Sequence, residues 1–192
     1  MRKLFLTACL LYGLTILLSP AVIANEETPS QKTTEVSTES AMQKQEVEYT
    51  LPYPGILPDN PFYFLKMLRD RFVGFLISDP LKKAEFNLLQ ADKRLASAIY
   101  LMQRPDKASL AEQTISKGEN YFEEAVNKVR EAKGEGMDTK DIERRLVSAS
   151  RKHLQVLSNL EKKLKVQERE KFIQLEKRIQ KIQIDANRFS KS

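Results

Sequence analysis

The chain has 192 residues, of which 30% are charged and 8% aromatic, with no tryptophan, six glycines and a formal net charge of +6. A single cysteine and a single histidine exclude a disulfide framework and any zinc centre built from several Cys and His ligands. The balance of many charges and few aromatics suits long helices with a wet face.

Arg2 and Lys3 precede an apolar run from Leu4 to Leu18, broken by Ser19 and Pro20, and Val22-Ile23-Ala24 offers small residues for cleavage before Asn25. That is the layout of a secretory signal peptide over residues 1–24, removed after Ala24. An uncleaved membrane anchor over residues 4–24 is the alternative, because about 20 apolar residues can cross a bilayer. Cys9 sits too early in the apolar run for a lipid-attachment site and reads as an ordinary member of it. On the cleaved reading the mature chain holds no cysteine, hence no disulfide, thiolate nucleophile or Cys-bound metal. Export also places the chain away from nucleic acid, which is not expected as a partner.

Residues 25–50 are rich in Glu, Thr, Ser and Gln and read as a disordered acidic leader, unable to bury enough apolar surface to offset its ordering entropy. The character changes at Leu51-Pro52-Tyr53-Pro54-Gly55-Ile56-Leu57-Pro58, an extended segment stiffened by proline. Asp59 or Asn60 as cap with Pro61 at the first helical position predicts a helix from Phe62 to about Ile77. Phe62, Leu65, Leu68, Phe72 and Phe75 recur on it at three- and four-residue steps. The favoured reading packs this stripe on a helical bundle as a lid; a helix lying in a membrane interface, flanked by Lys66, Arg69 and Arg71, is the other.

Asp79-Pro80 opens a second helix to about Gln103, with a heptad-like seam through Ala84, Leu88, Ala91, Leu95 and Ala98. Pro105 is expected to start a third, seamed by Ile115, Gly118, Phe122, Ala125 and Val129 and ended by Gly134-Glu135-Gly136. Asp138 is expected to cap a last helix running unbroken to about Phe189, roughly 75 Å at 1.5 Å per residue. Its seam through Ile142, Leu146, Ala149, His153, Val156 and Leu160 gives way, after a weak stretch near Lys163 to Glu170, to a second through Phe172, Leu175, Ile179 and Ile182. A change of phase implies a kink, a stutter or a new partner helix. The distal half would protrude, fold back over the first helix, or self-associate through Phe172, Leu175, Ile179 and Ile182. Residues 161–192 hold ten basic and five acidic side chains, enough for a weak pull toward an anionic surface.

No catalytic, cofactor-binding or metal-binding residue is singled out. His153 has Ala149, Ser150, Val156 and Leu157 as helical neighbours, none a metal ligand, and reads as a partly buried, hydrogen-bonded histidine. Glu119 and Glu123, four residues apart, could do acid–base work but read as charges on a solvent face.

Leu57-Pro58-Asp59-Asn60-Pro61-Phe62-Tyr63-Phe64-Leu65-Lys66, then Asp79-Pro80-Leu81-Lys82-Lys83-Ala84-Glu85 and Ala91-Asp92-Lys93-Arg94-Leu95, resemble in order the bacterial extracytoplasmic family called Domain of Unknown Function 5667. The likeness is close over about 50 residues and looser over about 100. It implies an all-helical exported protein and no activity. As architecture, the same stretch is expected to dock the first helix onto the second and third through Tyr63 and Leu65.

The sequence thus predicts an all-α bundle of about four helices with a long coiled-coil-like C-terminal helix. The divisions are a signal peptide at 1–24, a leader at 25–50, a family-like helical domain at 51–135 and a basic helix at 136–192 that packs on the bundle. The expected function is a non-enzymatic structural or protein-interaction module of the cell envelope, with no cofactor, protein partners in the envelope and weak membrane-surface contact. A periplasm-type helical chaperone or stress adaptor is the alternative.

Overall fold

Five helices, and no strand among the described residues, follow one another as α1 (Tyr63–Leu76), α2 (Pro80–Leu101), α3 (Ala108–Gly134), α4 (Lys140–Glu161) and α5 (Val166–Phe189). The computed structural model describes residues 47–189, all within one compact unit. The expected signal peptide, Cys9, residues 25–46 of the leader and Lys191 lie outside the described residues. No helix among the described residues is long and apolar enough to cross a membrane.

α2 begins where its cap predicts. The Asp79 carboxylate accepts the Lys82 amide hydrogen at 2.8 Å and Pro80 takes the first helical position. The seam of α2 then packs antiparallel on that of α3, with Ala84, Leu88, Ala91, Leu95 and Ala98 all buried against Ile115, Phe122, Ala125 and Val129. The two helices approach closely at Gly118: a Cβ there would lie 3.1 Å from the Arg94 Cβ and 3.3 Å from the Ala91 carbonyl oxygen.

α3 starts at Ala108 rather than at Pro105, because Asp106 takes φ +57 and a left-handed residue cannot sit inside a right-handed helix. Its end agrees with the sequence. Gly136 has φ +79, and the Met137 and Gly136 amides return to the Ala132 and Lys133 carbonyls, both at 3.0 Å, which satisfies the last carbonyls in a Schellman arrangement. α4 begins at Lys140, with the Asp138 carboxylate accepting the Lys140 amide hydrogen at 3.2 Å.

The long last helix is two helices. The chain turns between Glu161 and Val166, and α5 runs back antiparallel to α4. No glycine or proline marks this turn. Leu164 is buried in it, the Leu164 carbonyl accepts the Arg169 Nε hydrogen at 3.1 Å, and Lys162, Lys163 and Lys165 face water. α5 therefore covers α3 and α4, not α1. Phe172, Leu175, Ile179 and Ile182 are all buried in the chain's own core, so the seam expected to join two molecules is occupied within one.

Around the bundle the order is α2, α3, α5, α4. The two hairpins lie side by side, which makes α2 and α4 parallel neighbours, and α3 and α5 likewise. Glu85 meets Arg145 and Asp92 meets His153 on the first pair; Glu112 meets Lys171 and Glu123 meets Arg178 on the second. Lys133 ties three helix ends, donating to the Phe189 carbonyl at 3.1 Å and lying 3.3 Å from the Glu143 carboxylate.

Candidate functional site

Residues 47–58 form an extended strap against α2 and α4. Tyr49 donates its phenol hydrogen to Asp92 Oδ2 at 2.6 Å, and Asp92 Oδ1 lies 2.9 Å from His153 Nε2. Asp92 and His153 are buried, and the Phe122 ring meets the imidazole edge-on at 4.9 Å between centroids. Burial and the neighbouring Asp92 push the Tyr49 phenol far up, so it stays a donor. His153 is hydrogen-bonded as the sequence suggests, but fully buried. This cluster is a clamp joining strap, α2 and α4. The Tyr49 and Asp92 contributions were invisible in sequence, since 43 residues separate them.

Glu119 and Glu123 do not share a solvent face. α5 covers Glu119, which is 1% exposed with both its carboxylate oxygens without a hydrogen-bond partner among the described residues, whereas Glu123 stays partly exposed at the edge of α5. Burial pushes the Glu119 carboxyl up to about 9, leaving it neutral at pH 7. Glu123 is held below the usual carboxylate range by its hydrogen bonds from Arg178. Among the described residues no three His, Cys, Asp or Glu side chains are grouped to hold a metal ion.

The feature with no internal use is α1. Its inward side carries Tyr63, Asp70 and Gly74. Tyr63 is half-buried, Asp70 is buried and paired with Arg69 Nη2 at 2.6 Å, and Gly74 lets the Phe86 ring come within 3.1 Å of where a Cβ would stand. Lys83 donates to the Gly74 carbonyl, and Lys66 reaches back to the Pro54 carbonyl at 2.7 Å. The apolar stripe faces the other way. Phe64, Leu65, Leu68, Phe72, Phe75 and Leu76 are between 51% and 82% exposed. The lid expectation is thus reversed: Tyr63 docks α1, whereas Leu65 and the phenylalanines point outward. The physical reason is that only the small and polar face fits against Phe86, Lys83 and the Arg94–Tyr121 pair, whose guanidinium lies 4.2 Å from the ring centroid. A groove of about 510 Å³ runs beside the helix, lined by Phe64, Met67, Leu68 and Arg71 with Arg94 and Tyr121.

A family model described as a domain of unknown function (DUF5667) matches residues 55–167. The chain belongs to the DUF5667 family. The match takes in α1 to α4 and stops on the second residue of α5, so the outward face of α1 lies inside the shared region. The residues that carried the resemblance act in this DUF5667 chain as fastenings: Lys66 and Lys83 hold α1, Asp79 caps α2, Asp92 holds the strap, and Arg94 stacks on Tyr121. No curated protein and no solved structure matches the chain.

Proposed function

We propose that this DUF5667 protein is an exported, non-enzymatic interaction module of the bacterial cell envelope, and that α1 is its working surface. The observation that carries this reading is the outward apolar face of α1. Exposed contiguous apolar surface on an otherwise polar molecule marks a docking site. Elsewhere the exposed large apolar residues are scattered: Leu89 stands on α2, and Val166 and Ile184 stand near opposite ends of α5. The apolar run Leu4–Leu18 and the Ala24 site support export. The apolar seams of α2 to α5 are used up in the core, which supports a scaffold rather than an enzyme.

The test is site-specific photo-crosslinking in intact cells. A crosslinker at Phe72 or Phe75 is expected to form adducts, and one at Arg144, exposed on α4, to form few. Equal labelling at all three positions would overturn the assignment of α1. Fractionation and N-terminal sequencing test export: an N-terminus at Asn25 supports it, and Met1 in the cytoplasmic fraction overturns it.

The chaperone alternative draws on the same exposed face, but confinement to a single helix of 14 residues favours a dedicated site. Suppression of aggregation across unrelated clients, lost in Phe72→Asp, would reverse that preference.

A further inference from the structure

We propose that α1 is an interfacial helix whose occupant is the anionic surface of a lipid bilayer, bedded in the headgroup layer with its axis in the membrane plane. This rests on α1 being the working surface and names what it docks on.

The arrangement of side chains around α1 carries the argument. At about 100° per residue, Phe64, Leu65, Leu68, Phe72, Phe75 and Leu76 fall in an arc of roughly 120°, directly opposite Asp70. Arg71 bounds the arc on one edge and Arg69 on the other. Long basic side chains at both edges of an apolar stripe can lay their stems along it while their charges reach the headgroups.

Charge decides between a bilayer and a second copy. Asp70 is the only acidic residue of α1, and it is turned inward, buried and paired with Arg69. With Arg69 held by Asp70 through two hydrogen bonds, the outward half of the helix presents Arg71 as its positive charge and no carboxylate. A second molecule laid face to face on α1 would bring arginines against arginines with no carboxylate between them. An anionic headgroup layer complements the Arg71 edge. The body behind α1 has the same sign, with 25 basic and 18 acidic residues over 77–192, a net +7.

Shape agrees. Leu65, Phe72, Phe75 and Leu76 form the convex side of a single helix, which beds into a fluid layer without needing a matched groove, while Phe64 and Leu68 also wall the groove toward Arg94 and Tyr121. Its 14 residues make about 21 Å of helix, too short to span a hydrocarbon core of about 30 Å, so it lies flat. The helix is already formed, fastened to α2 through Gly74 and Lys83 and to the strap through Lys66, which removes the folding cost that a free peptide bears on binding.

The chain has no tryptophan, so Phe72→Trp installs a single fluorophore in the arc and Arg144→Trp one on α4. Each protein is purified as cells process it, so that all share one N-terminus. Vesicles of phosphatidylglycerol mixed with phosphatidylcholine are compared with phosphatidylcholine alone, each with and without brominated acyl chains. The emission at position 72 is expected to shift to the blue and to be quenched by the bromines on anionic vesicles, with position 144 unchanged. Adding Phe75→Asp should abolish the response, with far-UV dichroism and melting unaltered because Phe75 is the most exposed of the six. Adding Arg71→Gln should weaken partitioning about fivefold on anionic vesicles and little on neutral ones. No response at position 72 on anionic vesicles overturns the lipid assignment. If position 72 then shifts with protein concentration while the light-scattering mass doubles, the occupant is a second copy and α1 remains the working surface. If position 72 is silent in both settings and the cellular crosslinks are also even, both the lipid assignment and the wider reading fail.

Discussion

The Arg178 guanidinium on α5 grips the Glu123 carboxylate on α3 through two parallel hydrogen bonds, Nε to Oε1 and Nη2 to Oε2, each 2.7 Å. The same guanidinium also donates to Asn120 Oδ1 at 2.6 Å and lies 3.6 Å from buried Glu119. Two glutamates one helical turn apart are thereby driven in opposite directions: Glu123 stays ionised, and Glu119 is neutral at pH 7.

Glu119 makes stability fall as pH rises. Its carboxyl titrates near the ordinary value of 4.5 when unfolded and near 9 when folded, so between those values the native state holds a proton that the unfolded state has released. The contribution is complete below 4.5, declines through neutrality and levels off above 9. Glu119→Gln keeps the shape without the proton. It should raise stability at pH 7 by roughly 2–3 kcal/mol, and its advantage should grow as pH rises. Urea melts from about pH 5 to about pH 9 check this; parallel curves for the two proteins would sink it.

Asp92 serves Tyr49 and His153 at once. Asp92→Ala should cost about 3 kcal/mol, because two buried polar groups lose their partner. Tyr49→Phe should cost about 1 kcal/mol and speed hydrogen exchange in residues 49–51 while leaving α3 protected. The double variant should be little worse than Asp92→Ala alone, since the two substitutions remove one shared bond. Additive costs would show that the strap is held elsewhere.

Ile179 is fully buried, and Ile179→Ala should cost about 3 kcal/mol. Because its neighbours belong to the same chain, the loss should not vary with protein concentration. A concentration-dependent loss would return this seam to the role of a contact between molecules.

Gly118→Ala should destabilise by about 1 kcal/mol, although alanine is the better helix former by about the same amount. The added Cβ meets the Ala91 carbonyl at 3.3 Å and the Arg94 Cβ at 3.1 Å, and a backbone oxygen in a packed helix has little room to retreat. Thermal melts of the two proteins decide the sign.

What could be read from the sequence was local. Asp79-Pro80 and Gly134-Glu135-Gly136 announce helix ends by chemistry within a few residues, and the seams of α2, α3 and α4 repeat within each helix. The turn at 162–165 is set at long range. Its residues are good helix formers, and it forms because α5 gains more by burying Phe172, Ile179 and Ile182 against α3 and α4 than by continuing in water. The orientation of α1 was hidden for a different reason. Periodicity shows that a helix has an apolar face, not where that face points. The signals were Asp70 and Gly74 sharing the opposite side, which suits a close approach to another helix better than it suits solvent. Glu119 and Tyr49 were misjudged or missed because their surroundings come from residues more than 40 positions away.

The covering of Glu119 on α3 by α5 gives folding a chemical direction. α2 to α5 share one core within one compact unit, and such units generally fold as a whole. In the unfolded chain the α3 stretch is wet and Glu119 is an ordinary ionised carboxylate at neutral pH. Laying α5 down over it draws one proton from the surrounding water. Closing the bundle is therefore an acid–base reaction as well as a packing event, favoured in acidic surroundings and opposed in alkaline ones.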